Sequence, residues 1–331
     1  MVVLWLNLST RLLALTVILA AICGDRALSQ ERAATPGQIT SSAPGRRLSA
    51  DAFYIIPPSA ETGDTYEGPI DLPFVTPPSD LSWEPNFAGR SETLLAMSKS
   101  VTLRREVWSL EFAFKPVRMI AVDLPNADGQ TETKIVWYLL YSVRYKGNDL
   151  VPNLSKDQFG TEVYTQPSVD AGKSARRFLP GFVLNAAALG KRYQSRFVPE
   201  AVSLIAEKER VGKPVYDSVA IQKVPIPLST SRESHEVWGV ATWTDIDPRT
   251  DFFSVEVRGL TNAQRSEMVN GEIVSTQKTL VLNFSRPGDT VNELADRIRY
   301  GIPATVDPVQ QKAILAKYGL RERLDHYWIF R

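Results

Sequence analysis

The chain has 331 residues, a formal net charge of +1, one cysteine and two histidines. A near-neutral chain has no overall field for gripping phosphate backbones, and one cysteine supports neither an intramolecular disulfide nor a cysteine-rich zinc site. With 44% hydrophobic and 23% charged residues, the composition is that of a folded protein.

The run Leu12 to Ile22 is apolar and follows Arg11, and Ala27-Leu28-Ser29 puts small residues at −3 and −1 of a cleavage site. This pattern reads as a secretory signal peptide over 1–29. Two alternatives stay open. An uncleaved anchor needs about 20 apolar residues, and Met1 to Cys23 carries a single charge, Arg11. A lipoprotein would be acylated at Cys23, although Ile22 stands where a small residue is expected. Cleavage after Ser29 takes two arginines and one aspartate from 38 basic and 37 acidic residues, leaving 36 of each and no cysteine. A body large enough to build its own core needs no disulfides, which suits a bacterial envelope or periplasmic setting.

Residues 30–90 hold nine of the 22 prolines, with much serine, threonine and glycine. Such a segment reads as a linker, largely disordered to about Asp80, because it cannot offset its ordering entropy. Phe53-Tyr54-Ile55-Ile56 is the exception: it either docks on the body or stays an unattached apolar patch.

From about Ser91 to Arg331 the pattern becomes that of a single β-rich domain. A short helix is expected over Ser91–Ser98. Trp108, Leu110, Phe112 and Phe114 alternate with Ser109, Glu111 and Ala113, the two-residue period of a half-buried strand, which Pro116 ends or marks as an edge. Arg118–Leu124 reads as a second strand. Lys134–Tyr145 is a long one, apolar on both faces and therefore central. Further strands are expected at Thr161–Thr165, Phe178–Leu184, Val215–Gln222, Glu236–Thr244 and Phe252–Leu260. Asn270-Gly271 signals a hairpin whose second arm runs through Thr279–Phe284. Tyr327–Phe330 is a terminal strand. Pro199-Glu200 opens one helix running to about Arg210, with Val202, Ile205, Ala206 and Glu209 on one side. A second is marked by Asp307 at the N-cap, Pro308 at the first turn, Gln310 at the reciprocal capping position and Gly319 at the end. Without a fixed-period repeat, these elements imply a mainly β fold (β-rich α+β). The expected form is an antiparallel β-sandwich, immunoglobulin-like or similar, with two or three peripheral helices.

The densest polar constellation is the loop Thr244–Asp251, carrying Asp245, Asp247, Arg249 and Asp251. Its carboxylates suit Ca²⁺ in kind but lack the spacing of a calcium loop, and Asp247-Pro248 favours turn initiation. Arg249 is placed to pair with Asp245 or Asp251. Glycoside hydrolysis by two of Asp245, Asp247, Asp251, Glu236 and Glu256 would need a defined carboxylate separation that no spacing here specifies. Trp238 and Trp243 lie on one strand with opposite parity, so one faces in and one faces out. An outward tryptophan stacks on sugar rings or anchors a protein contact, whereas most tryptophans fill cores. His235 and His326 read as structural: Asp325-His326 are neighbours whose side chains point to opposite faces of a strand. Lys173, Arg176, Arg177, Lys191, Arg192 and Arg196 form a basic stretch, a solvated face or a contact for an acidic polymer. Thiol, nucleotide-cradling and Gly-x-Ser-x-Gly chemistries have no motif here, and neither metal nor cofactor is expected. Asn153-Leu154-Ser155 and Asn283-Phe284-Ser285 match the glycosylation pattern, which carries no meaning in a bacterium.

The stretches Trp108–Pro116, Trp137–Tyr141 and Trp238–Trp243, continuing through Asp247–Phe253 to Gly259–Asn262, resemble a family of uncharacterised secreted proteins of planctomycete bacteria. The resemblance spans about Ser91 to Arg331. It implies a bacterial, exported protein and supplies no catalytic or binding residue. The expectation is therefore a non-enzymatic structural or binding module of the cell envelope or periplasm, with an envelope hydrolase using Asp245–Asp251 as the alternative. The partners expected are an envelope protein or polysaccharide, with no nucleic acid and no membrane contact beyond an uncleaved signal segment.

Overall fold

Alternating apolar residues fold here into two sheets packed face to face. The computed structural model describes residues 53–67, 103–125, 128–164, 168–170, 175–270, 272–286 and 297–331. The signal segment, Cys23, most of the linker, the Ser91–Ser98 helix and Lys173 lie outside the described residues.

The first sheet begins with β1 (Tyr54–Ile56), β2 (Glu111–Phe114), β3 (Arg118–Pro125) and the long β4 (Thr131–Arg144). The chain then crosses to the second sheet with β5 (Gly181–Ala186) and β6 (Lys191–Gln194), and forms helix α1 (Pro199–Lys208). It returns to the first sheet with β7 (Val215–Tyr216) and β8 (Glu236–Trp243). The second sheet is completed by β9 (Phe252–Arg258), β10 (Gln264–Val269), β11 (Glu272–Ser285), β12 (Arg299–Tyr300) and β13 (His326–Phe330), with helix α2 (Pro308–Tyr318) between the last two. The order is β1-β2-β4-β8-β7 in the first sheet, with β3 also on β4. In the second it is β6-β5-β9-β11, with β10, β12 and β13 also on β11. All these pairings are antiparallel except β7 with β8. The fold is thus the mainly β sandwich expected, and the described strands close no barrel.

The core lies between the sheets. Phe112, Phe114, Trp137 and Tyr141 from the first meet Phe182, Phe253 and Phe284 from the second, with ring contacts Phe112–Phe182, Trp137–Phe253 and Phe114–Phe284. The opposite face of β4 presents Val136 and Tyr138, which α1 covers with Ala201 and Ile205. That explains why β4 is apolar on both faces. Helix α2 docks Leu315 and Tyr318 beside Phe252 and Ile302. The Asp307 carboxylate accepts from the Val309 N–H at 2.9 Å, and Gly319 takes φ 71° at the other end. Gln310 does not complete a reciprocal cap; its amide oxygen accepts from the Thr305 hydroxyl.

Two local readings need correction. The 108–114 segment is not a half-buried strand: only 111–114 form β2, and Glu111 and Ala113 are buried along with both phenylalanines. Ala113 is opposed by Ile55 of β1, while Arg144 and Lys146 neutralise Glu111. Strand β2 ends before Pro116 as expected, yet the chain stays on the same partner strand. Phe114 pairs with Tyr141 and Arg118 with Tyr138, so β2 and β3 run in series along β4 with one extra residue between them. A bulge is where a sheet tolerates proline. The strand at Val215 stops after Tyr216, because the Asp217 carboxylate accepts from the Val219 and Ala220 N–H groups and turns the chain into a 3₁₀ segment. On α1 the expected face is the covered one: Ile205 and Glu209 are buried and Val202 packs on the same cluster, with Ala201 added beside them.

Residues 53–67 belong to the body, with the docking of Phe53–Ile56 realised as β1. Tyr54 stacks on Phe114 and meets Tyr300 of the opposite sheet. Further on, Asp64 reaches Lys278 of β11 at 2.7 Å, with both side chains buried. The segment is a strap joined to both sheets. A second lacing ties the β9–β10 connection to the residues before β2: the Leu110 N–H donates to the Leu260 carbonyl at 2.7 Å and the Trp108 N–H to Asn262 Oδ1 at 2.8 Å. This connection turns at Gly259, φ 88°, where a Cβ would lie 2.1 Å from the Leu179 carbonyl oxygen. Only glycine fits that backbone.

Candidate functional site

The loop after β8 leaves the sandwich at Thr244 and re-enters at Phe252. Asp245 takes φ 58°, a left-handed turn position that aspartate tolerates. Asp247 builds the rest of the turn. Its carboxylate accepts from the Arg249 N–H at 3.0 Å, its carbonyl from the Thr250 N–H at 3.0 Å, and its own N–H donates to the Tyr193 hydroxyl at 3.1 Å.

The four acids and bases of the loop do not converge. Asp247 is gripped by Arg249 in a two-pronged contact at 3.0 and 2.8 Å, and by Lys191 of β6 at 2.6 Å. Arg249 therefore pairs with Asp247, not with Asp245 or Asp251. These donors hold the Asp247 carboxyl well below the usual carboxylate range, with the Arg249 side-chain hydrogen bonds the largest cause and Lys191 next. Asp245 faces Arg196 at 3.4 Å and Lys134 of β4 at 3.5 Å. Asp251 faces Arg286 at 3.6 Å, and that guanidinium also donates to the Pro248 carbonyl and lies over the Trp137 ring. Each carboxylate thus answers to its own cation. Among the described residues no group of His, Cys, Asp or Glu is placed to hold a metal ion.

The two tryptophans also separate. Trp243 is fully buried between the sheets, in contact with the main core. Trp238 lies on the outer face of the first sheet, where Phe53 of the strap meets it edge-on at 5.3 Å. Glu236 and Glu256 are likewise engaged, Glu236 by Arg144 and Lys213, Glu256 by Arg192 and Arg331. The basic stretch is accounted for in the same way: Arg176, Lys191, Arg192 and Arg196 each meet a carboxylate. His235 sits beside Glu233, and His326 accepts from or donates to the Tyr300 hydroxyl at Nδ1, 2.8 Å away.

Beside the loop an open cleft of about 240 Å³ is lined by Glu132, Lys134, Ile135, Trp137, Asp245 and Ile246. Of the residues singled out in the sequence, Asp245 alone lines it. Glu132 and Lys134 are additions that sequence reasoning missed. They alternate on the exposed end of β4, and only the pairing of β4 with β8 brings them to the loop. Comparison with family models, curated proteins and solved structures finds no match for this chain.

Proposed function

We propose that this chain is an exported, non-enzymatic structural or binding module of the cell envelope, with an envelope protein or polysaccharide as its partner. The observation that carries the reading is the state of the loop carboxylates. Hydrolysis of a glycoside needs one carboxylic acid kept protonated near neutral pH beside a second, ionised one. Asp247 is pushed the opposite way, and Asp245 and Asp251 face cations of their own. The signal-like first 29 residues and the resemblance to secreted bacterial proteins support export. The cleft beside Asp245 offers a mixed-charge contact surface, suited to hydroxyl-rich or zwitterionic groups through hydrogen bonds to Glu132, Lys134 and Asp245.

The test has two arms. N-terminal sequencing of material recovered from the envelope or medium is expected to begin near Gln30, and an intact Met1 overturns cleavage. The purified protein is expected to release no product from aryl glycosides or from isolated envelope polysaccharide. Turnover that disappears in Asp247→Asn would overturn the non-enzymatic reading in favour of a carboxylate hydrolase.

A further inference from the structure

The edges of the two sheets are not alike. Edges that must stay single in solution usually carry charge, proline or a bulge, because a bare strand edge recruits another chain. Edge strand β6 reads Lys-Arg-Tyr-Gln, β10 carries Arg265 and Glu267, and β3 carries Arg118 and Asp123 and ends in Pro125. Among the described edges without such guards β13 is the longest: His326-Tyr327-Trp328-Ile329-Phe330, five residues without lysine, arginine, acid or proline, all half-buried, whereas the uncharged edges β1 and β7 have three and two residues.

The direction of its free groups follows from its pairing with β11. Gln277 and Arg331 exchange both backbone hydrogen bonds, and the Asn283 N–H donates to the Asp325 carbonyl. In an antiparallel ladder such pairs alternate with pairs that are not hydrogen-bonded. Asp325, Tyr327, Ile329 and Arg331 therefore turn their backbone groups toward β11. His326, Trp328 and Phe330 turn theirs outward, and among the described residues no backbone group is hydrogen-bonded to them there.

The geometry points to a second copy of this chain as the occupant of that edge, paired antiparallel through β13 about a two-fold axis at Trp328. In this register Trp328 opposes its own copy, and His326 opposes Phe330 of the partner subunit. These are the positions whose N–H and C=O groups point outward, so all three donors and all three acceptors of each strand are met. A shift by one residue would set outward-facing groups against inward-facing ones. Charge agrees with the same register. The residues flanking the strand, Asp325 and Arg331, carry opposite signs and fall opposite one another across the axis, twice. Each keeps its own-chain contact as well, Asp325 with the Ile302 N–H and Arg331 with Glu256. An isologous pairing of this kind closes on itself and joins the two second sheets into one continuous sheet across the dimer.

A five-residue strand pair is a small interface, so the association is expected to be weak and to depend on concentration. The test is sedimentation equilibrium on the full chain as purified, from about 1 to about 500 μM, a range that spans weak affinities. The wild type is expected to pass from monomer to dimer. Phe330→Pro removes one outward N–H without touching the ladder to β11, and is expected to stay monomeric with unchanged circular dichroism. Ile329→Lys places a charge on the edge while sparing the backbone, so the test survives if the proline variant fails to fold. A wild type that stays monomeric throughout overturns the proposal. So does a dimer that persists in the folded variants, or growth beyond two copies.

Discussion

Lys278→Met should reveal how much the strap contributes to the stability of the body. The Lys278 ammonium is 2.7 Å from Asp64 and 3.1 Å from Glu61, and its side chain is 3% exposed against 1% for Asp64. Methionine keeps the volume and removes the charge. Asp64 is then left ionised and buried, its Oδ2 still accepting from the Glu61 N–H at 3.0 Å. Breaking one side of a buried ion pair costs about 3–5 kcal/mol. For a domain of this size each kcal/mol moves the unfolding midpoint by about 2–4 °C, so a fall of roughly 6–20 °C is expected. Adding Asp64→Asn removes the stranded charge yet keeps an oxygen for the Glu61 N–H, and should recover at least half of the loss. Urea unfolding followed by tryptophan fluorescence measures both variants. A single substitution costing less than about 1 kcal/mol, the size of a surface ion pair, would refute the reasoning. A double variant no better than the single one would do the same.

Gly259→Ala should cost more than about 3 kcal/mol, or prevent folding, because positive φ and a backbone clash combine at that position; soluble yield and thermal unfolding report it, and a midpoint within a degree of the wild type refutes it. Burial lowers the His326 pKa, with Asp325 opposing in part. The unfolded chain therefore takes up a proton near pH 6.5 that the folded chain refuses, and stability falls as pH drops below that value. His326→Gln should flatten the pH dependence between pH 7 and 5, and an unchanged slope counts against the assignment. Calorimetric titration with Ca²⁺ should give no heat, since Lys191 and Arg249 occupy the Asp247 oxygens; saturable heat abolished by Asp247→Ala would revive the loop as a metal site.

Most strands were legible because a strand with one buried face alternates and one with both faces buried reads as a continuous apolar run, the pattern by which β4 announced its two-sided cover. The misreadings at Glu111 and Ala113 have one cause: contacts supplied from far along the chain. Ala113 and Glu111 looked solvent-facing because nothing near them in sequence says that β1 opposes one and that Arg144 and Lys146 reach the other. At Val215 the signal was local but easily passed over. Asp217-Ser218 follows an apolar pair, and a single aspartate capping a turn outweighs the β propensity beyond it. The loop at Asp245–Asp251 was rightly seen as dense in charge. Its meaning depended on Lys191, Arg196 and Arg286, which lie 56, 49 and 35 positions from their carboxylate partners and arrive only through sheet pairing.

The Asp64–Lys278 contact also orders events in time. The two residues are 214 positions apart, so at a synthesis rate of about 5–20 residues per second the strap waits roughly 10–40 s for its partner to be made. β1 can pair with β2 some 60 residues on, but until Lys278 is made the sandwich lacks the fastening at Asp64. So long a closure places the finished body among slow, high-contact-order folders.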